Sequence, residues 1–214
     1  MISYLKQANI CDVIKIFTNG LLLTPELNRE LVSAGLDFIR ISVEGVHPEK
    51  YESLCGRRID YQHFIDNIKD LYEHRGSCRV VIKIIDVNLT MTEKEKFFRD
   101  FADICDICAI DDIHGWTCSD EKDFALGIKK DTFDGVKIID KNVCPYPFYT
   151  LCVNCRGIVT IGCCDWALKT EVGRVPEQSV YEIWNGKKLH DFRMMHLEHR
   201  KAENPACRSC SHMR

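Results

Sequence analysis

The sequence predicts an α/β chain: a partial (β/α) parallel arrangement followed by a smaller cysteine-rich module made of a β-hairpin and a helix. Three observations carry this. Over the first 115 residues, short apolar β-branched runs alternate with segments of helical periodicity. The apolar runs are near-continuous, as in parallel strands covered by helices. From Cys144 onward the pattern changes to two short β-rich runs, one helical run and a concentration of thiols.

Each element has its own signal. "VIKIF" (13–17) is a strand closed by the turn dipeptide Asn19-Gly20. Thr24 and Pro25 read as the N-cap and first residue of a helix; Leu27, Leu31 and Val32 form its apolar face and Gly35 stops it. "DFIRISVEG" (37–45) is the second strand. Helices follow around 47–54 and 61–75, the latter with Phe64, Ile65, Ile68, Leu71 and Tyr72 at helical spacing. "RVVIKIIDV" (79–87) is the third strand. "TEKEKFFRDFADIC" (92–105) is a helix with Thr92 as cap and Glu95 completing a capping box. "ICAIDDI" (107–113) is the fourth strand. Four parallel strands make half a barrel or a small open sheet. Residues 116–143 are polar and weakly periodic, and read as a linker between domains at 1–115 and 144–214.

Composition narrows the function. The 214 residues suffice for one core and a smaller appendage, and 45% apolar with 29% charged residues is a globular balance. A formal net charge of −3 offers no basic field to nucleic acid or an anionic membrane. There is no apolar run of transmembrane length and no signal-peptide core, so a cytoplasmic chain is expected. There the thirteen cysteines stay thiols unless metal claims them. Cys11, Cys55, Cys78, Cys105, Cys108 and Cys118 read as core residues or free thiols.

Residues 144–166 hold five of the thirteen cysteines. "FYTLCVN" and "IVTIGCC", joined by Cys155-Arg156-Gly157, read as a hairpin that folds Cys144 and the Cys163-Cys164 pair to one end. "SVYEIWNGKKLHDFRMMHLEHR" (179–200) reads as one helix, with Ser179 as N-cap, Glu182 at the capping-box position, and Ile183, Trp184, Leu189, Phe192 and Met195 as apolar contacts. Pro205 and the pair Cys207 and Cys210 then return thiolates. Four thiolates suit tetrahedral zinc or one cubane iron–sulfur cluster, and spacing does not separate the two. Cys152 and Cys155, three apart on the first hairpin strand, face opposite ways and read as non-ligands.

Cys144-Pro145, Gly157 ahead of Cys163-Cys164, Asp165-Trp166, Val172-Gly173, "SVYEIWNGKKLHDFR" and "NPACRSC" together resemble a known module. It is the SPASM or shortened "twitch" auxiliary-cluster domain of radical S-adenosylmethionine enzymes. The resemblance implies one [4Fe–4S] cluster held by Cys144, Cys163, Cys207 and Cys210. Gly162 stands where relatives place the first cysteine of the pair, so Cys164 is the alternate ligand; a bulge at Gly162 favours Cys163.

"IFTNGLLLTPELNRELVSAGLDFIRISVEG" resembles strands three and four of the same family's barrel. This implies Thr18, Asn19, Gly20 and Ser42 near S-adenosylmethionine, with Arg57 or Arg58 at its carboxylate. The CxxxCxxC triple that holds the activating cluster occurs nowhere in the 214 residues. The resemblance therefore implies a fragment truncated at its N-terminus, unable alone to cleave S-adenosylmethionine. Intact relatives use a 5′-deoxyadenosyl radical on a peptide, sugar or aminocyclitol, which implies a small-molecule or peptide substrate, or a radical S-adenosylmethionine partner chain. The rival expectation is a structural zinc site of four cysteines, or a cluster-carrying partner module without catalysis.

Overall fold

The β-branched runs of the N-terminal half pair into one parallel sheet. Its strands β1 (Lys15–Thr18), β2 (Phe38–Val43), β3 (Arg79–Ile85) and β4 (Ile107–Asp111) lie in sequence order. The structure is a computed structural model describing residues 1–113, 132–133, 136–137, 139, 141–162, 165, 167–208 and 210. It divides into two units, Met1–Asp112 and Ile113–Arg214.

In the first unit α1 (Ile2–Gln7) leads into β1, and α2 (Pro25–Ser33), α3 (Pro48–Cys55), α4 (Tyr61–Glu73) and α5 (Met91–Phe101) form the connections. Register aligns Ile39 with Val80, Ile41 with Ile82 and Val43 with Ile84. All six are buried and share one core with Phe64, Ile68 and Leu71 of α4 and Phe97 and Phe101 of α5. Burying each such side chain contributes about 1.5–3 kcal/mol, enough to hold the helices on this face. Asn28, fully buried on α2, donates to Asn67 O and the Asp70 carboxylate and ties α2 to α4.

The strands are not apolar on both faces. Side chains alternate along a strand, so Arg40 and Ser42 look away from the helix-covered core. Lys83 stands in register with Ser42, and Asp111 with Ile85. Arg40 Nη2 lies 2.6 Å and Lys83 Nζ 3.0 Å from the Asp111 carboxylate. One face is a hydrophobic floor; the other carries an ion-paired row.

Helix starts follow local capping. Thr24 caps α2 with Pro25 at its first position, as expected. In α5 the cap is Thr90 rather than Thr92, with Glu93 closing the box. "TMTEKE" contains two overlapping boxes, and the earlier one lets Lys94 N–H donate to Thr90 O, adding residues to the helix. Glu93 also faces Lys50 of α3 at 3.4 Å.

The second unit holds a two-stranded pair, β5 (Thr132–Phe133) and β6 (Val136–Lys137), and an antiparallel sheet of β7 (Cys152–Val153), β8 (Ile158–Thr160) and β9 (Glu171–Arg174). Most of the linker expected at 116–143, Cys118 included, lies outside the described residues. The hairpin turn is built by Asn154, whose Oδ1 accepts from Arg156 and Ile158 N–H. Gly157 has φ +76° and a Cβ there would collide with the Val175 carbonyl, so glycine is required.

Strand β9 is not marked by the sequence pattern. Gly173 within it lets the next helix rest on bare backbone: a Cβ would sit 2.6 Å from Ile183 Cγ1. The helix expected over 179–200 is two helices, α6 (Val180–Trp184) and α7 (Lys187–Leu197). Asn185-Gly186, a turn dipeptide inside an amphipathic run, breaks it. Ser179 and Glu182 form the expected capping box. Val159, Ile161, Val172, Ile183 and Leu189 make the small core, and α8 (Pro205–Arg208) is the last helix of the described chain. Among the described residues no helix is long and apolar enough to cross a membrane.

Candidate metal centre

Three segments of the second unit are fastened to one another around thiols. Cys144 opens a loop whose next residues, Tyr146–Phe148, form a 3₁₀ turn. Arg193 of α7 grips this turn: its Nε donates to Pro147 O at 2.9 Å and its Nη1 to Trp184 O at 3.1 Å, with the guanidinium over the Trp184 ring. Lys201 Nζ donates to Lys141 O at 2.7 Å, just before Cys144.

Asn204 works in both directions. Its Nδ2 donates to Lys169 O, while its Oδ1 accepts from Ala206 and Cys207 N–H. That is an N-cap on α8 with Pro205 at the first helical position, and it sets where Cys207 emerges. Asp165, buried, accepts from Lys169 N–H at 3.0 Å and from Thr170 N–H and Oγ1–H at 2.6 Å each. It closes the turn that follows the Cys163-Cys164 pair.

Cys144, Cys207 and Cys210 are half-buried cysteines within electrostatic reach of one another. Burial, then Cys144, Cys210 and Asp165, push the Cys207 thiol up to about 12. Burial foremost raises Cys144 as well, with Cys210 adding to it. A pocket that penalises bare thiolates this way is relieved by a bound cation. The donor chemistry, soft sulfur from a loop and a CxxC, fits zinc or an iron–sulfur cluster.

Cys163 and Cys164 lie outside the described residues. Among the described residues no three Cys, His, Asp or Glu side chains are drawn up as the ligand set of one ion. The sheet irregularity falls at Val159/Thr160, two residues before Gly162, where a bulge was expected. Cys155 sits exposed in the turn, since β7 ends at Val153, so strand alternation does not govern the Cys152/Cys155 pair.

The raised thiols have a direct consequence. In the metal-free chain at neutral pH, iodoacetamide should alkylate exposed Cys155 more than tenfold faster than Cys207. The thiolate is the reactive form, and each unit of raised pKa removes about tenfold of it. Peptide mass mapping over time checks this; equal rates would contradict it.

His196 was not visible as a site residue in the sequence. It is fully buried, and Cys144 N–H donates to its Nδ1 at 3.4 Å while its Nε2 lies 3.6 Å from Cys207 Sγ. The available signal was a histidine on the helix stripe marked by Leu189 and Phe192, eleven residues ahead of Cys207.

In the first unit, Thr18 and Ser42 lie at the C-terminal ends of β1 and β2 but on opposite faces. Thr18 registers with Ile41, on the core side. Its Oγ1 accepts from Gly20 N–H, and Asn19 Oδ1 accepts from Leu21 N–H, so both shape the turn. Ser42 shares its face with Arg40, and Glu44 follows two residues on. Burial raises the Glu44 carboxyl and nearby Lys83 opposes the rise. Arg58 is exposed and paired with Glu49 at 2.7 Å and Glu52 at 3.5 Å. Arg57 is also exposed. Arg40, Lys83 and Asp111 escaped notice because one charge inside an apolar strand reads as noise until register lines them up.

A parallel βα sheet in one unit and a small thiol-rich β module in the other define an α/β protein with a separate cysteine-rich appendage. Comparison with known proteins specifies the class. Residues 10–101 match the radical SAM superfamily and residues 144–211 match SPASM, an iron–sulfur cluster-binding domain. The chain thus carries a radical S-adenosylmethionine domain over residues 10–101 and a SPASM domain over residues 144–211. These families imply iron–sulfur clusters and S-adenosylmethionine in general.

Among solved structures the chain is similar to selenomethionine BtrN in an open conformation, at 20% identity over 94% of this chain and 93% of that one, TM-score 0.33. It is also similar to BtrN in complex with AdoMet and 2-DOIA, at 16% identity over 88% and 78%, TM-score 0.33. Among curated proteins nothing matches significantly.

Proposed function

We propose that the chain binds one auxiliary [4Fe–4S] cluster through Cys144, Cys207, Cys210 and either Cys163 or Cys164, in support of radical S-adenosylmethionine chemistry. The observation that carries this is the buried His196 ring, which meets the Cys144 N–H at 3.4 Å and Cys207 Sγ at 3.6 Å and so joins cysteines from distant parts of one cluster-binding domain. When bound, such a cluster supplies a one-electron acceptor or donor beside the substrate. The chain's own part is to hold the loops: Arg193 and Lys201 fix the approach to Cys144, Asn204 fixes Cys207, and Asp165 closes the turn after the cysteine pair.

In the first unit the Thr18-Asn19-Gly20 turn and Ser42 are the proposed border of an S-adenosylmethionine site. They stand at the C-terminal ends of parallel strands, the end where such sheets receive ligands. The substrate is a small molecule or peptide in this reading. The 214 residues contain no CxxxCxxC, so the chain alone is not expected to release 5′-deoxyadenosine.

The test is anaerobic reconstitution with iron and sulfide, followed by metal analysis and Mössbauer spectroscopy. About four irons and four sulfides per chain are expected. One zinc per chain, with no sulfide uptake, would instead establish a structural zinc site of four cysteines.

A further inference from the structure

We infer that His196 is a positioning residue for the cluster, donating a hydrogen bond from Nε2–H to the sulfur of Cys207 and raising the cluster's reduction potential. This rests on the reading of Cys207 as a cluster ligand. The two contacts of the ring assign its proton. Cys144 contributes a backbone N–H at 3.4 Å from Nδ1, and a backbone N–H can only donate. Nδ1 is therefore the acceptor nitrogen, and the proton of the neutral ring sits on Nε2. That nitrogen faces Cys207 Sγ at 3.6 Å, within reach of an N–H···S bond.

The assignment has three consequences. A protonated Nε2 has no lone pair in the ring plane to give a metal, so His196 is not a ligand of the site. Its N–H stabilises negative charge on the ligand sulfur, and that charge is greatest when the cluster is reduced. Hydrogen bonds to cluster sulfurs are one of the levers that set such potentials. The ring also joins the Cys144 loop to the Cys207 loop directly. Full burial and the Phe192 ring, 5.1 Å away on the same helix, restrict it to this pose.

The test compares reconstituted wild type with His196→Gln, His196→Asn and His196→Phe. Iron and sulfide are counted first, and the midpoint potential is then measured by an EPR-monitored redox titration. Glutamine carries an N–H to about the reach of Nε2; asparagine offers an acceptor at the reach of Nδ1 but no donor to sulfur; phenylalanine offers neither. Glutamine should hold the potential close to wild type, and asparagine should shift it to more negative values. Phenylalanine should follow asparagine; should it fail to fold, the Gln and Asn pair still decides. Equal potentials in loaded Gln and Asn variants would overturn the inference and leave His196 a packing residue. Loss of one iron from the Asn variant would also overturn it, by making His196 a ligand. Failure of the wild type to take up iron would instead sink the cluster reading on which it rests.

Discussion

Cys207→Ser should abolish cluster uptake, dropping iron from about four per chain to background under reconstitution that fully loads the wild type. The serine hydroxyl stays protonated at working pH and is a hard donor, poorly matched to iron that prefers thiolate. Cys207 is also a thiol whose environment strongly disfavours the free anion, pushed up to about 12 by burial and by Cys144, Cys210 and Asp165. A site of that kind draws its stability from the bound cation, so removing one ligand leaves the others as a destabilised cluster of thiols. Cys144→Ser and Cys210→Ser should behave alike. Cys155→Ser, at an exposed turn position, should load normally. Cys163→Ser and Cys164→Ser, compared side by side, pick the fourth ligand: one should lose iron and the other keep it. Normal loading of Cys207→Ser would break the proposed ligand set.

Much of the fold was legible because it depends on short-range patterns. The four strands are β-branched runs, and their parallel order follows from the helices between them. The errors have a common origin in local signals that compete. Thr90 and Thr92 both begin a capping box, and only helix length decides between them. Asn185-Gly186 interrupts an otherwise helical stripe, and the stripe won on paper while the turn won in the fold. β9 was missed because a four-residue strand containing glycine has no pattern of its own; it exists through its pairing with β8 and the packing of Ile183 on Gly173.

The site divides the same way. Cysteines announce themselves, and their spacing draws attention to Cys144, Cys207 and Cys210. The side chains that arrange them do not. His196, Arg193, Lys201 and Asn204 are ordinary residues on a helix and its tail, and acquire their roles only when loops distant in sequence meet. Likewise Arg40, Lys83 and Asp111 become one ion-paired row only through strand register.

Asp165→Ala should be among the most damaging non-cysteine substitutions in the second unit, at a loss of about 3–5 kcal/mol. Three hydrogen bonds end on this buried carboxylate, two of them at 2.6 Å. Bonds to a charged acceptor contribute about 1.5–3 kcal/mol each, and removing the acceptor strands donors at buried Thr170. Thermal or urea unfolding of the metal-free chain, read by far-UV circular dichroism and a probe in the second unit, checks the size of the effect. Asp165→Asn separates two roles of the residue. It keeps one oxygen acceptor but sets an NH2 group among donors, so it should destabilise less than alanine while still lowering the melting temperature. It also removes a negative charge that raises the Cys207 thiol, so Cys207 should be alkylated faster at a fixed pH where the unit remains folded. Stability and thiol reactivity would thus move in opposite senses from a single amide. An Asn variant with wild-type stability would show that the turn after the cysteine pair does not depend on this carboxylate. Unchanged alkylation with lowered stability would confine Asp165 to holding the backbone, with no electrostatic hold on Cys207.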